Sequence, residues 1–237
     1  MSLLSTNDQV LAQHAQSFPA ESREPTKSAS LTEQLIEAIV TGTYPAGTKV
    51  SEAGLAAAFG VSRGPLREAM MRVEALGLVE RVPHVGARVV TLTHRQLAEI
   101  YAVREALEGM AARLACAHIT DEEIEQLSAV LDTHHAYIER VEGAAYFHQQ
   151  GDFDFHYCII KASHNQKLIN LLCGELYHLL RMYRFQSPRA HSRPQQALQE
   201  HMQILAAIRE RDAELAEMLM RRHIQRSRQL IEQQITD

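Results

Sequence analysis

Glycine and proline fall at close intervals between residues 28 and 92 and cut that stretch into elements only one to four helical turns long. SLTEQLIEAIVTG opens with Ser30 or Thr32 as a helix cap, carries Leu31, Leu35 and Ile39 on one face, and stops at Gly42. YPAGT then reads as a turn. SEAGLAAAF is a short helix capped by Ser51 and ended by Gly60, and VSRGPLREAMMRVEALG is a longer one running from Ser62 to Gly77. LVERV and ARVVTL are β-prone runs separated by Pro83 to Gly86, the pattern of a hairpin. Helix, helix, tight turn, helix, hairpin is the order of a winged helix-turn-helix.

Projected at about 100° per residue, the third of these helices gathers Leu66, Ala69, Met70, Val73 and Leu76 on one side. Arg63 and Arg67, four apart, lie together at the edge of that stripe. A recognition helix needs arginines in its first turns, where they reach phosphates or the O6/N7 edge of guanine. The free N–H groups at a helix start near Ser62 suit a phosphate as well, and Pro65 is tolerated there because first-turn N–H groups lack helical partners. Taken alone, two such arginines are more often solvated surface positions; the ordered context of turn, helix and wing favours nucleic acid. Composition matters here, because the whole chain carries a net charge of −5. Residues 61–90 hold five Arg against three Glu, so the positive charge is local to this unit.

Residues 1–27 read as a polar, flexible arm, residues 28–92 as the DNA-binding unit, and residues 93–237 as an all-α antiparallel bundle. The fold class expected is therefore mainly α. No apolar run approaches 18 residues, and the N-terminus lacks a secretory pattern. Three cysteines without CxxC spacing suit a reducing compartment, so a cytoplasmic protein with no membrane partner is expected.

The bundle carries two features that packing alone does not require. Asp152 and His156 are spaced i, i+4 and share a helical face. His201 and His223 flank a turn near Arg211 and Asp212 at nearly equal distances, so an antiparallel hairpin sets their imidazoles level. Together these four offer one oxygen and three nitrogens to a divalent ion, although a buried histidine is more often a hydrogen-bonded core residue. On the helix around residues 97–114, Arg104 and Glu108 fall inside the apolar stripe of Leu97, Ile100, Tyr101, Leu107, Ala111 and Leu114. Charges there must pair with each other or serve a site. The other histidines, among them His134, His164 and His178, read as surface or packing residues.

The string SEAGLAAAFGVSRGPLREAMMRVEALGLVERVPHVGARV resembles the winged helix-turn-helix of the GntR family of bacterial transcription regulators. The resemblance implies that Ser62, Arg63, Gly64 and Arg67 contact DNA, and that Gly86, with His84 beside it, forms the wing tip that enters the minor groove. Ala53 stands where some members place a DNA-contacting Arg, and Gly64 where Thr is common, so a different operator sequence is expected. VREALEGMAARLA, DFDFHYCIIKASHN and EHMQILAAIRERDAELAEMLMRRHI resemble the all-α FCD domain of the FadR-type branch. That likeness implies that Asp152, His156, His201 and His223 are the metal ligands, with zinc, nickel and manganese not separable by ligand type. It further implies an Arg104 that lines the effector cavity; Asn165, Arg181 and Arg184 are weaker candidates for the same cavity.

The expected function follows. A homodimer binds a palindromic operator, one recognition helix per half-site, and a small carboxylate beside the metal alters its affinity. The alternative is an α-helical metalloenzyme acting on a small organic acid. It leaves the arginine-bearing unit without a purpose, and no base or nucleophile is placed by a motif. Hence no enzymatic activity is expected.

Overall fold

A computed structural model describes residues 27–83, 86–140, 154–186 and 193–233. The N-terminal unit opens with α1 (Lys27–Val40), followed by β1 (Lys49–Val50), α2 (Glu52–Phe59), α3 (Arg63–Ala75), β2 (Val79–Val82) and β3 (Gly86–Val89). Helix α2 starts and stops on its own sequence signals. The Ser51 hydroxyl accepts from the Gly54 N–H, and Gly60 closes the helix in the left-handed region at φ 64°. Buried Leu66, Ala69, Met70 and Val73 hold α3 against α1, whose Leu35 and Ile39 face back at them. The two-residue β1 is a difference from the expected hairpin. It pairs antiparallel with β3, Lys49 opposite Arg88 and Val50 opposite Ala87, to make a three-stranded wing ordered β1-β3-β2.

The C-terminal unit begins at α4 (His94–His118), fixed at its start by a reciprocal capping box between Thr93 and Gln96. Helix α5 (Asp121–Arg140) starts with a second such exchange: Glu123 accepts the Thr120 N–H at 2.8 Å, and the Thr120 hydroxyl accepts the Glu123 N–H at 3.1 Å. Then come α6 (Phe155–Ala162), α7 (Gln166–Leu171), a π-helical turn over Leu172–Leu176, and α8 (Tyr177–Gln186). A hairpin of α9 (Pro194–Arg209) and α10 (Ala213–Gln233) completes the bundle. Its core includes Leu127, Phe155, Ile159, Ile204, Ile208 and Met220. Among the described residues no helix is long and apolar enough to cross a membrane.

Helices α4 and α10 run antiparallel in close contact, and Gly109 is what lets them approach. A Cβ at that position would sit 2.5 Å from Arg221 Cγ and 3.0 Å from its Cδ. Both atoms lie near the root of the arginine stem, so neither moves away freely. Gly109→Ala is therefore expected to cost about 1–3 kcal/mol by overpacking, read as a lower urea midpoint at unchanged slope.

Candidate functional site

Three histidines from three helices converge inside the bundle. Asp154 caps α6 by accepting the His156 N–H at 2.9 Å and the Tyr157 N–H at 3.2 Å, which fixes the first turn that carries His156. The α9–α10 hairpin turns at Arg211, which adopts φ 60°, and brings His201 level with His223 as the register requires. His201 Nε2 lies 3.2 Å from His156 Nε2 and 3.2 Å from His223 Nε2. All three side chains are buried, and the His201 ring stacks on Phe155 with centroids 4.3 Å apart.

Carboxylates behind the imidazoles fix which nitrogen faces inward. His156 Nδ1 donates to Glu108 Oε2 at 2.6 Å, and His223 Nδ1 donates to Glu200 Oε2 at 2.7 Å. A carboxylate only accepts, so each of these rings turns an Nε2 lone pair toward the centre. Burial opposes ionisation of Glu108, but Arg104 and His156 outweigh it and hold the carboxyl well below the usual range. Glu200 is likewise held low against burial, by His223, Arg226 and Arg193. Burial pushes His223 down to about 4, against the pull of Glu200. Burial, then the neighbouring His223 and His156, push His201 well below the ordinary imidazole value.

These residues fit a cation. A single proton on His201 Nε2 satisfies one neighbour and leaves the other lone pair facing nitrogen at 3.2 Å. A divalent ion satisfies all three at once, and imidazole nitrogens are common donors for one, here with carboxylates behind two of the three rings. Asp152, the fourth expected ligand, lies outside the described residues.

Beside His156 is a cavity of about 20 Å³, lined by Arg104, Arg181, Arg184, Glu108 and Asp154 among others. Arg104 Nε donates to Glu108 Oε1 at 2.5 Å with both side chains buried, so the internal pair and the cavity-lining position are realised in the same residue. Arg184 lies 3.5 Å from Asp154. Asn165 stands apart from this lining. It caps α7, its Oδ1 accepting from the N–H groups of Lys167 at 3.1 Å and Leu168 at 3.2 Å. Sequence reasoning did not foresee Glu200, although the hairpin register that pairs His201 with His223 also brings Glu200 to the same level.

On the N-terminal unit, Ser62, Arg63, Gly64 and Arg67 are all exposed at the start of α3. Gly64 faces open space, since a Cβ there would meet nothing within 4 Å. Arg67 donates to Glu52 at 3.0 Å. Gly86 begins β3 at φ 100°, a conformation that favours glycine, while His84 lies outside the described residues.

Comparison with known proteins assigns both units. Residues 27–89 match the bacterial regulatory proteins of the gntR family, and residues 99–226 match the FCD domain. The chain is 32% identical over 205 residues to a probable D-xylose utilization operon transcriptional repressor of Paenarthrobacter nicotinovorans, covering 84% of this chain and 86% of that protein. It is 31% identical over 193 residues to the HTH-type transcriptional regulator YdhC of Bacillus subtilis (strain 168), covering 80% of this chain and 84% of that one. The solved structure of E. coli McbR/YncC shares the fold at a TM-score of 0.68 and 21% identity, over 88% of this chain and 98% of that one. The chain belongs to the GntR family, a winged-helix DNA-binding domain joined to an FCD domain, and it is a transcriptional regulator rather than an enzyme.

Proposed function

We propose that this regulator is a cytoplasmic homodimer whose affinity for a palindromic operator is set by a small carboxylate bound beside a divalent ion. His156, His201 and His223 would hold the ion, with Asp152 as a fourth ligand. When bound, the ion supplies positive charge and open positions for an oxygen ligand. The observation that carries this reading is the pairing of the three-histidine cluster with an arginine-lined cavity at its edge. Three guanidinium groups line that cavity: Glu108 and Asp154 of the lining answer Arg104 and Arg184, while the carboxylate paired with Arg181 is Glu37 on α1, outside the lining. An anionic ligand would enter among these donors, with Arg104 as the residue assigned to meet it.

Operator contact is assigned to Ser62, Arg63, Gly64 and Arg67 on α3 and to His84 and Gly86 on the wing. The exposed arginine-bearing start of α3 supports this, because the major groove admits a helix whose first turns carry such donors. The dimer is supported by apolar side chains left exposed on the antiparallel α4–α10 pair: Val103, Met110, Leu215 and Met218. A second copy covers such a surface, and it supplies the second recognition helix.

A thermal-shift screen tests the effector reading. Acetate, succinate and gluconate are added to protein loaded with zinc and to protein stripped by a chelator. At least one carboxylate should raise the melting temperature of the loaded protein alone. No response from any of them, or an equal response without metal, overturns the reading.

A further inference from the structure

Helix α8 belongs to both units at once. Leu179 and Met182 sit in the core of the DNA-binding domain with Leu35, Ile39 and Met70. Gln186 donates to the Ile39 carbonyl at 2.6 Å and accepts from the Ala46 N–H at 2.8 Å. On its other side, Tyr177, Leu180, Arg181 and Arg184 line the cavity next to His156. The chain breaks helical geometry just before it, at Gly174 (φ −92°, ψ −117°), inside the π-helical turn whose Leu172 and Leu176 also wall the cavity. A ten-residue helix is thus separated from α7 by a bend, and one face is anchored on the DNA-binding domain.

Arg181 is the residue that joins the two faces. Its side chain is 4% exposed, and Nη2 donates to both Glu37 oxygens on α1, at 3.0 and 3.3 Å. Its Nε and Nη1 are buried and have no hydrogen-bond partner among the described residues. Of the three arginines lining the cavity, Arg104 has Glu108 and Arg184 has Asp154 within the lining itself, whereas the carboxylate facing Arg181 comes from the other domain. The exchange between partners is asymmetric. Glu37 is 39% exposed and is solvated when released, whereas the buried guanidinium needs an anion in its place.

We propose that Arg181 is the relay between the two domains: a carboxylate entering the cavity is captured on its Nε–Nη2 edge, takes Nη2 from Glu37, and so loosens the ion pair that ties α8 to α1. This rests on the carboxylate reading above. At about 20 Å³ the cavity holds roughly one water, so capture also requires α8 to shift, and α8 carries Leu179 and Met182 of the DNA-binding core with it. The tie and the cavity are therefore two occupants' claims on one side chain, and each weakens the other.

The test uses the full zinc-loaded protein and a labelled operator fragment from upstream of its own gene. Affinity is measured by anisotropy in potassium acetate and in potassium chloride at equal ionic strength. Wild type, Glu37→Gln and Arg181→Met are compared, and acetate binding to each is followed by thermal shift. Acetate should change wild-type operator affinity by about fivefold or more. Glu37→Gln should already show the acetate-bound affinity in chloride, and should change less than about 1.5-fold on adding acetate while still binding it. Arg181→Met should lose both responses, its residual change reporting only the general effect of the anion on DNA binding. A Glu37→Gln protein that responds to acetate as wild type does overturns the relay and leaves the effector reading standing. Acetate that fails to bind the wild type also overturns it; if succinate and gluconate fail too, the effector reading falls with it.

Discussion

His201→Ala is expected to abolish the response to zinc. His201 is the centre of the cluster, the one imidazole whose Nε2 lies 3.2 Å from both others. At free zinc a thousand times the dissociation constant, binding to the native state alone stabilises by about 4 kcal/mol. For a chain of this size that is a rise of roughly 10 °C in melting temperature. The variant should show almost none of it. Glu200→Gln is the graded comparison, since Glu200 orients His223 without facing the centre. Loss of such a partner weakens metal binding about 10–100-fold, so this protein should still respond at higher zinc. Calorimetric titration of chelator-stripped protein reads both. A His201→Ala protein that binds zinc as wild type does would remove the cluster from the account.

Changing Arg63 and Arg67 together to Ala carries the second large effect. Each well-placed arginine–guanine contact is worth about 1–3 kcal/mol of discrimination. The pair is then worth about 2–6 kcal/mol, or a loss of roughly 30-fold to 10⁴-fold in operator affinity. Stability should hardly move. Arg67 pairs with Glu52 across an exposed contact, 67% and 31% exposed, and such a bridge is worth at most about 1 kcal/mol. Operator titration, with circular dichroism as the check on folding, separates the two effects. Unchanged operator affinity in the double variant would sink the assignment of α3 as the reading helix.

Local signals were legible where a single residue decides an outcome. Ser51, Gly60 and Gly77 mark helix ends in the sequence, and they mark them in the structure, with both glycines at positive φ. Strand β1 was not legible. Two residues show no alternation, and Lys49 and Val50 become a strand only through pairing with β3, some forty residues on. The histidine cluster could be anticipated because a hairpin register is arithmetic about its turn. Glu200 escaped because a charge beside a ligand reads as ordinary helix surface until the neighbouring helix is placed.

Helix α8 shows a different kind of limit. The run from Gln166 to Gln186 looks like one periodic helix, but the π-helical turn over Leu172–Leu176 inserts a phase shift. Projection at a constant angle therefore loses its phase after that turn, yet Arg181 and Arg184, the weaker cavity candidates of the sequence, both line the cavity beside His156. The Arg181–Glu37 pair spans 144 positions and two domains, so no local pattern announces it. Asn165 is the converse case: an asparagine directly before Gln166-Lys167-Leu168 is a helix-cap signal in the sequence, and its side chain caps α7 in the structure.

The most direct measurement is anomalous diffraction at the zinc edge from crystals grown with zinc and acetate. One strong peak per chain is expected, about 2.0–2.1 Å from Nε2 of His156, His201 and His223, with an acetate between that ion and the guanidinium of Arg181. A peak at other residues, or none at the three histidines, would contradict the metal assignment.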